Sequence, residues 1–290
     1  MNRQSDCVQI SLLLMLLCVF ASSAVGQTFI TTPPPENNTK VGFRFLHPNY
    51  KAKSYITTFT GTYDLYVNMP VSPKINLELK FPFSGIGYDS PYPIDSKQAI
   101  GNIYFGFQYH QPIEEFQKFK GTIFSFGVNI PTADKDEWAP HYMGLICNEY
   151  EAQRILPEVF TISGNAAYWM LTGEPEDVGG YFGFELGPQL FIPTGDNNDD
   201  TELMMHYGLT MGLDAPNVAI FAEFLGVFAV TSDVDDFGER FDHFVGIGMG
   251  ITDFPVRPSL YYQIPLDDDL NDFLSGVFGI KVEAAFPTNR

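Results

Sequence analysis

The last long stretch of the chain, residues 276–286, alternates at a period of two. Phe278, Ile280, Val282, Ala284 and Phe286 fall on one face, and Gly279, Lys281, Glu283 and Ala285 on the other. The pattern predicts a strand that is apolar on one side and polar on the other. Similar stretches recur through the chain, and after residue 26 no segment approaches the ~20 apolar residues that a membrane helix requires. If such a chain enters lipid it must do so with strands, and only closure of the sheet leaves no unpaired backbone edge. The expected fold is therefore all-β: a closed antiparallel transmembrane β-barrel of about 12 strands, with one short helix in a long extracellular loop.

The N-terminus supplies the membrane address. Arg3 precedes an apolar run over residues 10–21, and small residues end at Ala24-Val25-Gly26, the plan of a secretory signal peptide over 1–26. Cleavage there removes Cys7 and Cys18 and leaves Cys147 as the sole thiol, which excludes an internal disulfide and a cysteine metal centre. Residues 27–40, with Pro33-Pro34-Pro35, form a polar lead-in that cannot join a sheet interior. The barrel is assigned to 41–286, and 287–290 form a C-terminal tail.

Strands are read at 41–46, 57–69, 75–83, 100–109, 120–130, 158–171, 180–193, 202–213, 217–230, 240–251, 256–264 and 276–286. Ten strands, with 41–46 lying beside the barrel, is the alternative. Counting back from Phe286 places the longer connections on one rim and the tighter turns on the other, the asymmetry of extracellular loops and periplasmic turns. The outward loop 131–157 is expected to carry the helix in its second half, from Glu149 to Leu156. It either folds into the lumen or caps the rim.

Alternation assigns Arg44, Asp64, Glu78, Lys80, Glu185, Gln189, His206, Glu223, Arg257, Lys281 and Glu283 to the interior. A charge facing lipid near the midplane costs roughly 2–4 kcal/mol, so these positions are read as pore-lining. Two arrangements are open: a polar pore, or a plug of ion pairs such as Arg257 with Glu283. Inward glycines, among them Gly183, Gly208, Gly246 and Gly248, are expected to leave room for water or a loop.

Charge narrows the partners. Asp+Glu 35 against Lys+Arg 16 gives a formal charge of −19, which argues against nucleic acid and for cations. The acids concentrate in the outer loops, at Asp196, Asp199, Asp200, Asp233, Asp235, Asp236, Asp267, Asp268 and Asp269. Oxygen-rich loops suit Ca²⁺ or Mg²⁺, but none matches an EF-hand, and a solvated acidic surface is the favoured account. No other cofactor is expected, and no metal site is assigned with confidence.

The signal peptide, the alternating strands, the strand ends at Pro131-Thr132 and Pro193-Thr194, and the terminus Gly279-Ile280-Lys281-Val282-Glu283-Ala284-Ala285-Phe286 resemble bacterial outer-membrane β-barrel proteins of the porin-like transporter type. The resemblance covers the mature chain from about Val41. It implies an integral place in a Gram-negative outer membrane, with lipid, lipopolysaccharide, the barrel-assembly machinery and small solutes as partners. It also implies that Phe286 is the assembly signal, although Pro287-Thr288-Asn289-Arg290 follow where the family's chain typically ends. The expected function is a porin or small-solute channel that leans toward cations, and the rival is a non-conducting surface barrel that binds through its outer loops. An enzyme is not expected: His243 and Ser232 share a hairpin, but with His243 opposite residue 228 they lie too far apart to bond.

Overall fold

The computed structural model describes residues 27–52, 56–87, 96–112, 120–172, 178–195, 200–231, 238–252 and 254–287. The expected signal peptide lies outside them. The strands are β1 (Asn38–Tyr50), β2 (Gly61–Ser72), β3 (Ile75–Ile86), β4 (Lys97–Ile100), β5 (Ile103–Pro112), β6 (Lys120–Ile130) and β7 (Val159–Leu171), then β8 (Gly179–Pro193), β9 (Glu202–Ala215), β10 (Val218–Ala229), β11 (Phe241–Ile251), β12 (Val256–Pro265) and β13 (Leu274–Pro287). Each pairs antiparallel with its neighbours, and β1 pairs with β13 from Asn38 opposite Pro287 to Tyr50 opposite Leu274, which closes the sheet. β4 and β5 both pair with β3, β4 along Phe83–Ile86 and β5 along Ile75–Lys80, so they act as one wall strand broken at Gly101-Asn102. The wall is twelve strands around, with β1 fully part of it and starting three residues earlier than the sequence suggested.

The break in the wall has a cause. Asn102 turns inward to hold the loop between β6 and β7: its N–H donates to the Arg154 carbonyl (2.7 Å), and its Nδ2 donates to the carbonyls of Gln153 (3.1 Å) and Leu156 (2.6 Å). That loop carries α1 (Trp138–Cys147) and a 3-10 segment, Glu149–Arg154. The helix therefore sits one segment earlier than expected. Pro140 in its first turn is tolerated because that backbone N–H has no intrahelical partner anyway, and the expected helix at Glu149–Leu156 is broken by non-helical dihedrals at Glu151.

Outward positions are apolar around the barrel. Phe105 and Phe107 on β5, Phe124 and Phe126 on β6, Ile220 on β10 and Ile247 on β11 all face away from the lumen, and Ile247 is 63% exposed. A soluble protein would not carry such a continuous belt; a barrel in lipid requires one. The hydrophobic core is inside. Met143, Ile146 and Cys147 of α1 join Leu46, Leu225, Val227, Phe244, Leu274 and Val277 in one buried cluster that fills the lumen near the rim where the β6–β7 loop enters, here the loop rim. Burial pushes the Cys147 thiol well up, so the only mature thiol of the sequence reading is inert.

Most inward glycines are not the open space expected of them. The Trp169 ring crosses Gly183, Phe221 crosses Gly248, and Tyr261 crosses Gly246, each ring within 2.6 Å of where a Cβ would stand. A ring on one strand shields the bare backbone of the next, a known stabiliser of curved sheets. Gly208 differs, since it faces Thr31 and Tyr150 from two segments that enter the barrel.

Candidate functional site: a lumen stoppered from both ends

Residues 27–36 do not trail outside the barrel. They form a strap that enters at the rim where β1 begins and β13 ends, rises into the lumen and returns to begin β1. Gln27 lies by the far end of β11, with its Nε2 donating to the Ile251 carbonyl (3.3 Å), and Ser259 Oγ donates to its Oε1 (2.9 Å). At the deepest point the strap has no sheet to join, so its N–H groups need acceptors. Glu223 supplies them: its carboxylate accepts from the N–H groups of Phe29 (3.0 Å), Ile30 (3.2 Å) and Thr31 (3.2 Å) and from the Thr31 hydroxyl (2.9 Å). Trp169 Nε1 donates to the Thr32 carbonyl (3.1 Å), and the Phe29 ring stacks on Tyr261 at 4.5 Å. On return, Glu36 accepts from Arg257 Nη1 at 2.9 Å and pairs with Lys40 at 2.7 Å.

The loop reaches down from the opposite rim to meet it. Glu185 is the junction: one carboxylate oxygen accepts from the Tyr150 hydroxyl of the loop (2.7 Å), the other from the strap's Thr32 N–H (2.9 Å) and from Asn165 Nδ2 (3.0 Å). Beside it Arg44 bonds Asp64, with Nε to Oδ2 at 2.9 Å, and also Glu151 of the loop, which Arg154 grips in turn; Arg154 lies 3.6 Å from Asp64. These four are nearly inaccessible to water, and they neutralise one another in place.

A cavity of about 160 Å³ remains between the stoppers and the wall. Ten of the eleven residues assigned inward by alternation line it: Arg44, Asp64, Glu78, Lys80, Glu185, Gln189, His206, Arg257, Lys281 and Glu283. The eleventh, Glu223, is covered by the strap. Lys80 pairs with Glu78 (2.8 Å), Lys281 donates to the Thr28 carbonyl, and Gln189 Nε2 contacts His206 Nδ1 at 3.0 Å. Arg257 and Glu283 are register partners, 4.0 Å apart, and Tyr66 donates to Glu283 at 3.0 Å. Sequence reasoning missed Tyr104, Tyr150, Glu151 and Arg154 on this wall, because the last three belong to a loop with no strand phase.

Of the acidic loop residues, Asp196, Asp199, Asp233, Asp235 and Asp236 lie outside the described residues. Asp200, Asp267, Asp268 and Asp269 form no metal-competent group, and among the described residues none exists. Asp267 instead serves His243, accepting from its N–H and facing its Nδ1 at 3.5 Å. His243 sits opposite Gly226, not residue 228 as the hairpin length suggested, and its Nε2 lies 2.7 Å from the Tyr207 hydroxyl. Gly226 makes this contact feasible by leaving space for the Tyr207 ring to lean across β10. Phe286 pairs with Thr39 at the seam and is half exposed.

A closed antiparallel wall, an apolar outer belt and a polar, charge-paired interior define a transmembrane β-barrel. None of the protein-family models matches the sequence, and no curated protein does. Solved structures match in fold. The barrel is similar to the COG4313 outer membrane channel from Pseudomonas putida F1, with a TM-score of 0.57 and 9% identity over 90% of this chain and 99% of that one. It is also similar to LpxR from Salmonella typhimurium (TM-score 0.49, 9% identity, 85% and 100% covered) and to the translocator domain of the autotransporter NalP from Neisseria meningitidis (TM-score 0.41, 9% identity, 97% and 98% covered).

Proposed function

We propose that the protein is an integral outer-membrane channel of a Gram-negative bacterium that passes small polar solutes and is closed at rest. The observation that carries this reading is how the lumen is filled. The strap is held mainly by hydrogen bonds to two wall carboxylates, Glu223 and Glu185, and a polar cavity persists beside it. A barrel meant only as a scaffold would fill that space with side chains; here separable segments fill it. Six acids (Glu36, Asp64, Glu78, Glu151, Glu185, Glu283) and six bases (Lys40, Arg44, Lys80, Arg154, Arg257, Lys281) face the cavity. The wall is thus balanced, and a lean toward cations comes from the acidic outer loops. Phe286 serves the assembly machinery, and neither a catalytic group nor a cofactor enters the reading. The second reading, a non-conducting barrel that binds lipopolysaccharide, divalent cations or another partner through its loops, is favoured by the completeness of the two stoppers.

Planar-bilayer conductance under a KCl gradient separates them. Wild type is expected to be quiet or to flicker, while deletions within 28–34 and within 135–155 give steady, cation-selective steps. Silence from both deletions, in protein whose gel mobility shows a folded barrel, refutes the channel.

A further inference from the structure

The cavity wall is not uniform. Its charged groups all have partners, described above, and most lie on the strap, β1–β3, β12, β13 and the loop. From β5 to β8 the one charged side chain on the cavity is Glu185, which is committed to Tyr150, Thr32 and Asn165. Gln108 on β5 is the register partner of Ser125 on β6, and Ser125 is the partner of Asn165 on β7. One level nearer the loop rim, Ser163 on β7 faces Gln189 on β8. All five side chains line the cavity, with the Tyr104 ring beside them.

Several of these groups lack the partners that buried polar atoms normally have. Gln108 is 4% exposed and turns its carboxamide onto the cavity. The Ser125 hydroxyl and Asn165 Oδ1 are buried without a partner. Gln108 needs both a donor and an acceptor, while Asn165 Oδ1 needs a donor and Ser125 can use either. A hydroxyl group is both, and a molecule with several hydroxyls satisfies all three from one position. A charged solute fits less well, since its counter-charge on this wall is already committed: Lys80, the nearest cation in register, is paired with Glu78.

We propose that the β5–β8 wall is a binding subsite for a neutral polyhydroxylated solute of monosaccharide size. It rests on the channel reading only in lying on that path, and it names the class of solute. The cavity, smaller than the 300–1,000 Å³ typical of drug-sized ligands, sets the upper limit on size.

The test uses the refolded barrel in a detergent without a sugar headgroup and three probes of similar shape: glucose, glucuronate and glucosamine. Saturable glucose binding, by calorimetry or saturation-transfer NMR, is expected, with both charged analogues weaker by about tenfold or more. Q108L and S125A are each expected to weaken glucose by about tenfold, the worth of one lost hydrogen bond to a buried group. Gel mobility confirms that each variant folds. Equal or tighter binding of glucuronate or glucosamine overturns the proposal, as does the absence of saturable glucose binding or wild-type affinity in both variants. Glucose uptake by liposomes is scored separately. Binding without uptake in the strap deletion keeps the subsite and refutes the channel; uptake that never saturates keeps the channel and refutes the subsite.

Discussion

Replacing Glu223 with alanine should release the strap. The carboxylate accepts from three consecutive backbone N–H groups and one hydroxyl. Hydrogen bonds to a charged acceptor contribute roughly 1.5–3 kcal/mol each. Taking the low figure for the three backbone donors alone, the docked strap loses about 4–5 kcal/mol relative to the released one, in which water takes over the freed N–H groups. At 1.4 kcal/mol per decade this is about a thousandfold change in the docked-to-released ratio. Glu223→Gln keeps one acceptor oxygen and should fall between. The assay is the labelling rate of a cysteine at Pro33, with Cys147 changed to serine, by a charged maleimide too large to pass a stoppered lumen. Labelling should rise in the order wild type, E223Q, E223A, with the top step near the thousandfold figure, and conductance should rise in the same order. Labelling of E223A within about twofold of wild type, in a folded barrel, would refute the assignment of Glu223 as the strap's main anchor.

Three further outcomes follow from contacts at the loop and the seam. Glu149 sits between the loop and the acids Asp242 and Asp267; burial first and then those two charges push its carboxyl up to about 8, so the docked loop holds a proton that the free loop, at 4.5, releases. Loop docking should therefore be strongest below pH 4.5 and weaken as pH rises toward about 8, and E149Q should flatten this dependence in a protease-nicking assay of residues 131–157. Arg44→Met leaves Asp64 and Glu151 buried with only Arg154 between them and should cost about 3–5 kcal/mol in urea unfolding from vesicles; a loss under about 1 kcal/mol would mean that water already reaches the cluster. Gly42→Ala places a Cβ within 2.2 Å of the Tyr66 ring and must displace the hydroxyl that holds Glu283; a loss of about 1–3 kcal/mol is expected by the same unfolding measurement.

The wall was legible because period-two alternation survives in a single sequence. Phe105, Phe107 and Tyr109 can only point one way once Gln108 points the other, and the same phase placed Arg44, Asp64 and Glu185 inside. Connection lengths then fixed which ends share a rim. The stoppers were not legible. Residues 27–36 have no periodicity, and Pro33-Pro34-Pro35 reads as a linker; the carboxylates that accept its N–H groups lie on β8 and β10, far along the chain. The loop helix was misplaced because helix propensity favoured Glu149–Leu156, whereas burial of Met143, Ile146 and Cys147 decided the matter. The glycines misled for a related reason. A missing side chain reads as space, but the ring that crosses it belongs to a strand whose lean is visible only in three dimensions.

The seam between β1 and β13 joins the first and last strands, whereas every other ladder joins strands that follow one another once β4 and β5 are taken as one. Joining strands so far apart in sequence carries the largest loop-closure entropy of any ladder in the wall. The strap is spliced directly onto β1 at that seam. The strand that closes the ring is thus the one that carries the stopper, so the pairing that seals the wall also sets where the strap leaves the lumen.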